Sequence, residues 1–200
     1  MTRTLMSRRI AVAGTALLAG LLLGACGSTD HATMPSMSGA APASGAAATF
    51  NDADVAFAQH MIPHHEQAVT MAALADTRAT DAEVKKLAAQ IKAAQNPEMT
   101  TMTGWLQGWG RMDMGDMDLS HDTMPGMMSD DAMKKLGALS GKEFDQEFLH
   151  MMIEHHQGAI EMANQETSGG SNPEAKALAQ QIITGQQAEI DAMKQLLTRV

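Results

Sequence analysis

The chain of 200 residues has no tyrosine, only four phenylalanines and two tryptophans, and a single cysteine. So few aromatics leave a core to be built from aliphatic and methionine side chains. Basic residues are also short, 14 against 23 acidic ones, for a net charge of −9. That balance excludes nucleic acid and an anionic membrane face as partners and is mildly favourable to cations. No stretch alternates with period two over a useful length, so no sheet is expected. Neither a Ser/His/Asp grouping, a phosphate loop nor a cysteine nucleophile is readable, and no catalytic activity is assigned.

Long apolar runs are absent too, with one exception. Arg3, Arg8 and Arg9 precede the run IAVAGTALLAGLLLGA, Ile10 to Ala25. It is shorter than a comfortable membrane span of ~20 residues and has the flanks of an export signal. Ser7-Arg8-Arg9 carries a weak twin-arginine pattern. Leu23-Gly24-Ala25-Cys26 resembles a bacterial lipobox, in which the cysteine is lipidated and becomes the mature N-terminus. With Cys26 acylated no thiol is left, which excludes disulfides and thiolate metal sites. Loss of three arginines takes the mature charge from −9 to about −12. The expected organisation is a lipoprotein signal over 1–26, a Ser/Ala/Gly-rich tether over 27–50 and one domain over 51–200. The membrane is then a partner only through the lipid, at the outer face of the cytoplasmic membrane. His31, Met34 and Met37 belong to the tether.

What the chain has in surplus is methionine, 19 residues, and histidine placed in pairs. A shift of 91 residues aligns Asp52–Leu106 with Glu143–Leu197 without a gap, with nineteen identities in fifty-five pairs. MIPHHEQAVTMA, Met61 to Ala72, thereby falls on MIEHHQGAIEMA, Met152 to Ala163. Each unit reads as a helical hairpin, and two hairpins burying their apolar stripes against each other make an all-α four-helix bundle. Thr80-Asp81-Ala82-Glu83, Ser140-Gly141-Lys142-Glu143 and Ser171-Asn172-Pro173-Glu174 fit capping boxes; Asn51 or Thr49 can cap the first helix. Pro63 and Pro97 are expected to kink the helices they lie in. Between the units runs a Met-rich loop, 110–128, followed by a short helix that Ser129 can cap.

On a helix, residues three or four apart are neighbours. Met61 therefore lies one turn below His64 and His65, and Met152 below His155 and His156. Ala68 and Ala159 leave space on the next turn. Met71 and Met162 lie further along, where packing alone is the simpler account. His60 stands four before His64, and Met151 holds the same place before His155. Adjacent histidines point about 100° apart and rarely chelate one ion alone, so each needs Met or a facing helix. Whether each pair makes its own site or both share one is left open. Thioether and imidazole without thiolate favour copper, as Cu(I) or Cu(II). In the loop, Met112, Met114, Met117, Met124, Met127 and Met128 sit among Asp, Gly and Pro with His121. These methionines are expected to capture Cu(I) rather than to pack. A rival reading is a ferritin-like di-iron or di-manganese enzyme, because Glu147-x-x-His150 with Glu161 matches part of that ligand set. Ala56 and Gln59 break it in the first unit. A purely structural envelope or partner-binding bundle is the third reading.

FLHMMIEHHQGAIEMA and AFAQHMIPHHEQAVTMA resemble the signature of a bacterial domain family of formally unknown function that includes CopM-type copper-binding proteins. The resemblance covers Asn51 to Val200. It implies a ferritin-like helical bundle outside the cytoplasmic membrane that binds Cu(I) and Cu(II) in copper tolerance, with transfer to a partner protein possible. Met61, His64, His65, Met71, Met152, His155, His156 and Met162 match the motif; His60 and Glu154 depart from it.

Overall fold

The computed structural model describes residues 49–112 and 124–200. The signal segment and nearly all of the tether lie outside them, as do Met114, Met117 and His121. Five helices follow in order: α1 (Asp52–Arg78), α2 (Ala82–Trp109), α3 (Asp130–Ala138), α4 (Gly141–Gly169) and α5 (Pro173–Leu197). No strand occurs among the described residues, and none of their helices is long and apolar enough to cross a membrane. α1 packs on α2 and α4 on α5; α1 meets α4 and α2 meets α5, closing the bundle. The short α3 rests on α1 and α4.

Helix starts show which capping signals act. Asn51 caps α1 through the amides of Ala53 and Asp54, and the Asp54 carboxylate returns to the Asn51 amide. At α2 the cap is Asp81 rather than Thr80, and at α5 it is Asn172 rather than Ser171. Ser140 precedes α4 but makes no side-chain cap bond. Ser129 caps α3. α1 runs on past Pro63 and α2 past Pro97, so packing along both helices outweighs the backbone bond each proline removes.

The core is divided crosswise between the halves. Met61 and Met102 share a buried cluster with Ala159, Met162 and Ala163 of α4. Met152 and Met193 share the other with Ala68, Met71 and Ala72 of α1. Ala68, Ala72, Ala75, Ala159 and Ala163 are fully buried, and small side chains there let α1 and α4 approach closely. The space beside the imidazoles that Ala68 and Ala159 were expected to leave is thus lined by core from the opposite half.

Polar contacts cross in the same way. Asp145 on α4 accepts from the amides of Thr80 and Asp81, at 3.1 and 2.9 Å, and from the Thr80 hydroxyl at 2.8 Å. Asp54 on α1 accepts from the amides of Ser171 and Asn172, at 3.1 and 2.8 Å. Each buried aspartate therefore closes the interhelical turn of the other half.

Candidate metal centre

The paired histidines sit midway along α1 and α4, and all four are buried. His64 and His155 meet across the interface with ring centroids 3.7 Å apart and planes inclined at 36°. The two halves thus bring His64 and His155 to one shared centre.

His65 and His156 are turned toward the second helix of their own half. His65 Nε2 lies 2.7 Å from Glu98 Oε2, and His156 Nε2 lies 2.7 Å from Glu189 Oε2. A carboxylate only accepts, so in both rings Nε2 carries the hydrogen; in the neutral ring Nδ1 is then the lone-pair nitrogen. Both Nδ1 atoms are buried and have no hydrogen-bond partner among the described residues. A carboxylate that fixes the tautomer from behind is the usual support of a metal-binding imidazole. His64 follows the same logic with a different acceptor: Nε2 lies 3.1 Å from the Pro125 carbonyl, and Nδ1 is unpartnered. Neither ring nitrogen of His155 makes a hydrogen bond of good geometry among the described residues, and the His64 backbone nearby opposes the fall in its pKa only weakly.

Burial works against a charge on His64 and His155. It pushes His64 down to about 3, helped by the nearby charge of His65 and opposed by the Pro125 carbonyl. Burial also holds His155 well below the ordinary imidazole range, with His64, His156 and His65 adding repulsion. At neutral pH these two rings offer lone pairs without a proton to displace.

The segment 124–128 forms a lid over this centre from the α1–α4 side. The Gln67 amide pins it, accepting from the Met128 amide at 2.7 Å and donating to the Met128 carbonyl at 2.8 Å. Gly126, at φ +75°, and Gly158 on α4 allow backbone to lie on backbone: a Cβ on Gly158 would fall 1.9 Å from the Pro125 oxygen. The lid's own Met124 and Met128 side chains are buried, Met128 within the core. These two are thus packed, whereas Met127 is half-buried and Met112 stays 49% exposed. Gly158→Ala is expected to lift the lid, lowering stability by about 1–3 kcal/mol. Limited proteolysis at 124–128 and a urea melt measure the two effects.

His60 does not join the shared centre. It is half-buried and lines a separate cavity of about 230 Å³ with Phe57, Met162, Gln165 and Glu166. Met151 is buried in the core cluster that also holds Met71 and Met152. Met61, Met71, Met152 and Met162 are all buried. Glu147 pairs with Lys135 at 2.8 Å on the surface, and His150 and Glu161 are exposed, so the partial di-iron ligand set does not converge inside the bundle. Among the described residues no three His, Cys, Asp or Glu side chains group closely enough to hold an ion by themselves.

Sequence reasoning missed Glu98, Glu189, Gly158 and the acidic pair Asp54–Glu166. Glu98 and Glu189 are identical at a spacing of 91, which was a usable signal; Glu166 replaces Ala75 and left none. Burial and the hydrogen bond shared with Asp54 raise Glu166 to about 8. Burial also works against ionisation of Asp54, but amides of Asn51, Asn172 and Ser171 outweigh it and hold its pKa low. One proton thus stays on Glu166.

The sign of the pH dependence follows. The raised Glu166 contributes stability that is complete below about 4.5 and is lost as pH climbs through about 8. His64 and His155 contribute stability that is present above about 6.5 and falls away toward acid. Stability should peak near pH ~6.5, changing by about 1.4 kcal/mol per pH unit for each titrating group. Glu166→Gln, a neutral mimic of the protonated acid, is expected to flatten the alkaline side and to steepen the rise between about pH 4.5 and 6.5 in urea melts from pH 4 to 9.

Fold and site together define an all-helical bundle protein with a histidine-lined interior. The chain belongs to the DUF305 family, a domain of unknown function, which matches residues 54–197. Its fold is similar to that of a DUF305 fragment from Deinococcus radiodurans, 34% identical, with a TM-score of 0.69 over 75% of this chain and 98% of that one. A DUF305 protein of Streptomyces coelicolor, taken to be secreted, is 37% identical with a TM-score of 0.67, over 73% and 92% of the two chains. CopM in its Cu(I)-bound form is 35% identical with a TM-score of 0.62, over 72% and 95%. CopM is also known in Cu(II)-bound and silver-bound forms. No curated protein matches the chain.

Proposed function

We propose that this protein is an extracytoplasmic copper-binding lipoprotein that sequesters copper ions and hands them on, in copper tolerance or homeostasis. The observation that carries the reading is the shared centre: His64 and His155 at 3.7 Å, flanked by two imidazoles whose Nε2 atoms are engaged by Glu98 and Glu189. In this reading thioether donors complete the set, because no three His, Asp or Glu side chains group by themselves among the described residues. Met61 and Met152, one turn from each pair, are the residues for that role. Such a neutral nitrogen–sulfur set suits Cu(I), and imidazole adds affinity for Cu(II). Likeness to CopM, which binds Cu(I), Cu(II) and silver, supports the same choice.

In this reading Cys26 carries the lipid, 27–50 is the tether, and Met112, Met114, Met117, His121 and Met127 collect copper weakly and quickly. His60 and Met162 contribute at the edge of the bundle, while Met71, Met151, Met124 and Met128 act mainly in packing. The bundle is read as ferritin-like, built from two copies of one hairpin. No reaction is required. The test is copper retention by the full chain in competition with a chromophoric Cu(I) chelator. The protein should hold copper against the chelator, and silver should displace it. Stoichiometric iron in the purified protein, with no copper retained, would favour a di-metal enzyme instead.

A further inference from the structure

The lid closes the α1–α4 side of the histidine centre, which leaves the question of how an ion reaches it. On the opposite side α2 and α5 meet along a seam that holds a cavity of about 40 Å³. Its lining is graded in depth. Ala94 and Gly185, at equivalent positions of the two halves, are exposed at the mouth. Glu98 and Glu189 come next, their side chains 21% and 20% exposed. Gln95 and Gln186 lie buried, and neither the amide nitrogen nor the amide oxygen of either one has a hydrogen-bond partner among the described residues. Behind the carboxylates lie His65 and His156, fully buried and 2.7 Å from them.

Four buried amide atoms without partners are costly, at about 1–3 kcal/mol each when nothing satisfies them. An apolar seam would avoid that cost, and α2 and α5 are apolar at other buried positions such as Ile91 and Ile182. The cavity has room for a water or a partly dehydrated ion. Two carboxylates and two amide oxygens are hard donors, suited to a dication that still carries some of its water.

We propose that this seam is a cation-binding vestibule through which a hydrated dication such as Cu(II) passes to the buried imidazoles. The inference rests on the copper reading above. Glu98 and Glu189 draw the ion in and neutralise its charge; Gln95 and Gln186 replace part of its water shell. The same carboxylates that receive the ion hold the rings that take it over. The lid side needs no opening.

The test plugs the mouth and leaves the ligands alone. A Cβ at Gly185 meets nothing within 4 Å, and Ala94 is exposed, so Ala94→Leu with Gly185→Leu can be accommodated. Aqueous Cu(II) is mixed with the full chain in a stopped-flow instrument, with Trp105 and Trp109 fluorescence as the readout. The plugged variant is expected to take up and release copper about tenfold more slowly, with its equilibrium affinity within about twofold of wild type. Raising salt should slow wild type more than Glu98→Gln/Glu189→Gln, because the steering charge is then gone. Unchanged rates in the plugged variant overturn the vestibule while leaving the copper reading intact, and faster uptake by Gly158→Ala would then place entry under the lid. Absence of copper binding in wild type overturns both.

Discussion

His155→Leu is expected to make the protein more stable and nearly to abolish its hold on copper. The imidazole is 1% exposed, and neither of its ring nitrogens makes a hydrogen bond of good geometry among the described residues. Burying a polar group unpaired costs about 1–3 kcal/mol, and leucine fills a similar volume without that cost. A gain of about 1–2 kcal/mol, or roughly 2–8 °C in Tm, should appear in a thermal melt. The same change removes one of the two rings that meet at 3.7 Å across the halves. Mutating a residue that only supports a ligand lowers metal affinity about 10–100-fold, so loss of a ligand should reach at least the upper end of that range. Stability and binding should therefore move in opposite directions. A variant that loses stability but keeps its copper would show that His155 is a packing residue.

The second large effect is expected at the crossed aspartates. Asp145→Ala leaves the amides of Thr80 and Asp81 without their acceptor, where the carboxylate now receives both and the Thr80 hydroxyl. Hydrogen bonds to a charged group are worth about 1.5–3 kcal/mol, and orphaned amides add to the loss. A destabilisation of about 3 kcal/mol, near 6–12 °C in Tm, is the expected outcome. Asp145→Asn retains one acceptor oxygen and should lose about half as much. Asp54→Ala is the matching change in the other half, and there Glu166 loses the neighbour that holds up its pKa. If both aspartates prove neutral in a urea melt, the turns are held by apolar packing alone.

These two sites also mark how far the sequence could be read. The helices, their approximate ends and the His/Met register were legible, because periods of three and four residues and capping side chains are local properties. Placement of Met61 beneath His64 and His65 needs only a helix. The partners across the bundle were not legible. Asp145 meets Thr80 from 65 positions away, and Asp54 meets Asn172 from 118. No period in the chain encodes such a pairing; it follows from how two hairpins close on each other. Gly158 reads as a helix-weakening residue until the Pro125 carbonyl is seen resting where its side chain would be. Met128 reads as part of an open loop until Gln67 is seen drawing its backbone onto α1. Local chemistry names the donors, and topology decides which of them face one another.

The crossed aspartates also set an order of assembly. The α1–α2 connection leaves synthesis before Asp145 exists, so the amides that open α2 have no acceptor until the second half follows. Asp54 in turn waits for the amides of Ser171 and Asn172, close to the end of the chain. A growing chain can form each hairpin early but can finish neither. The turn nearest the C-terminus is the last whose partners are all synthesised, although its acceptor, Asp54, is among the first residues of the bundle.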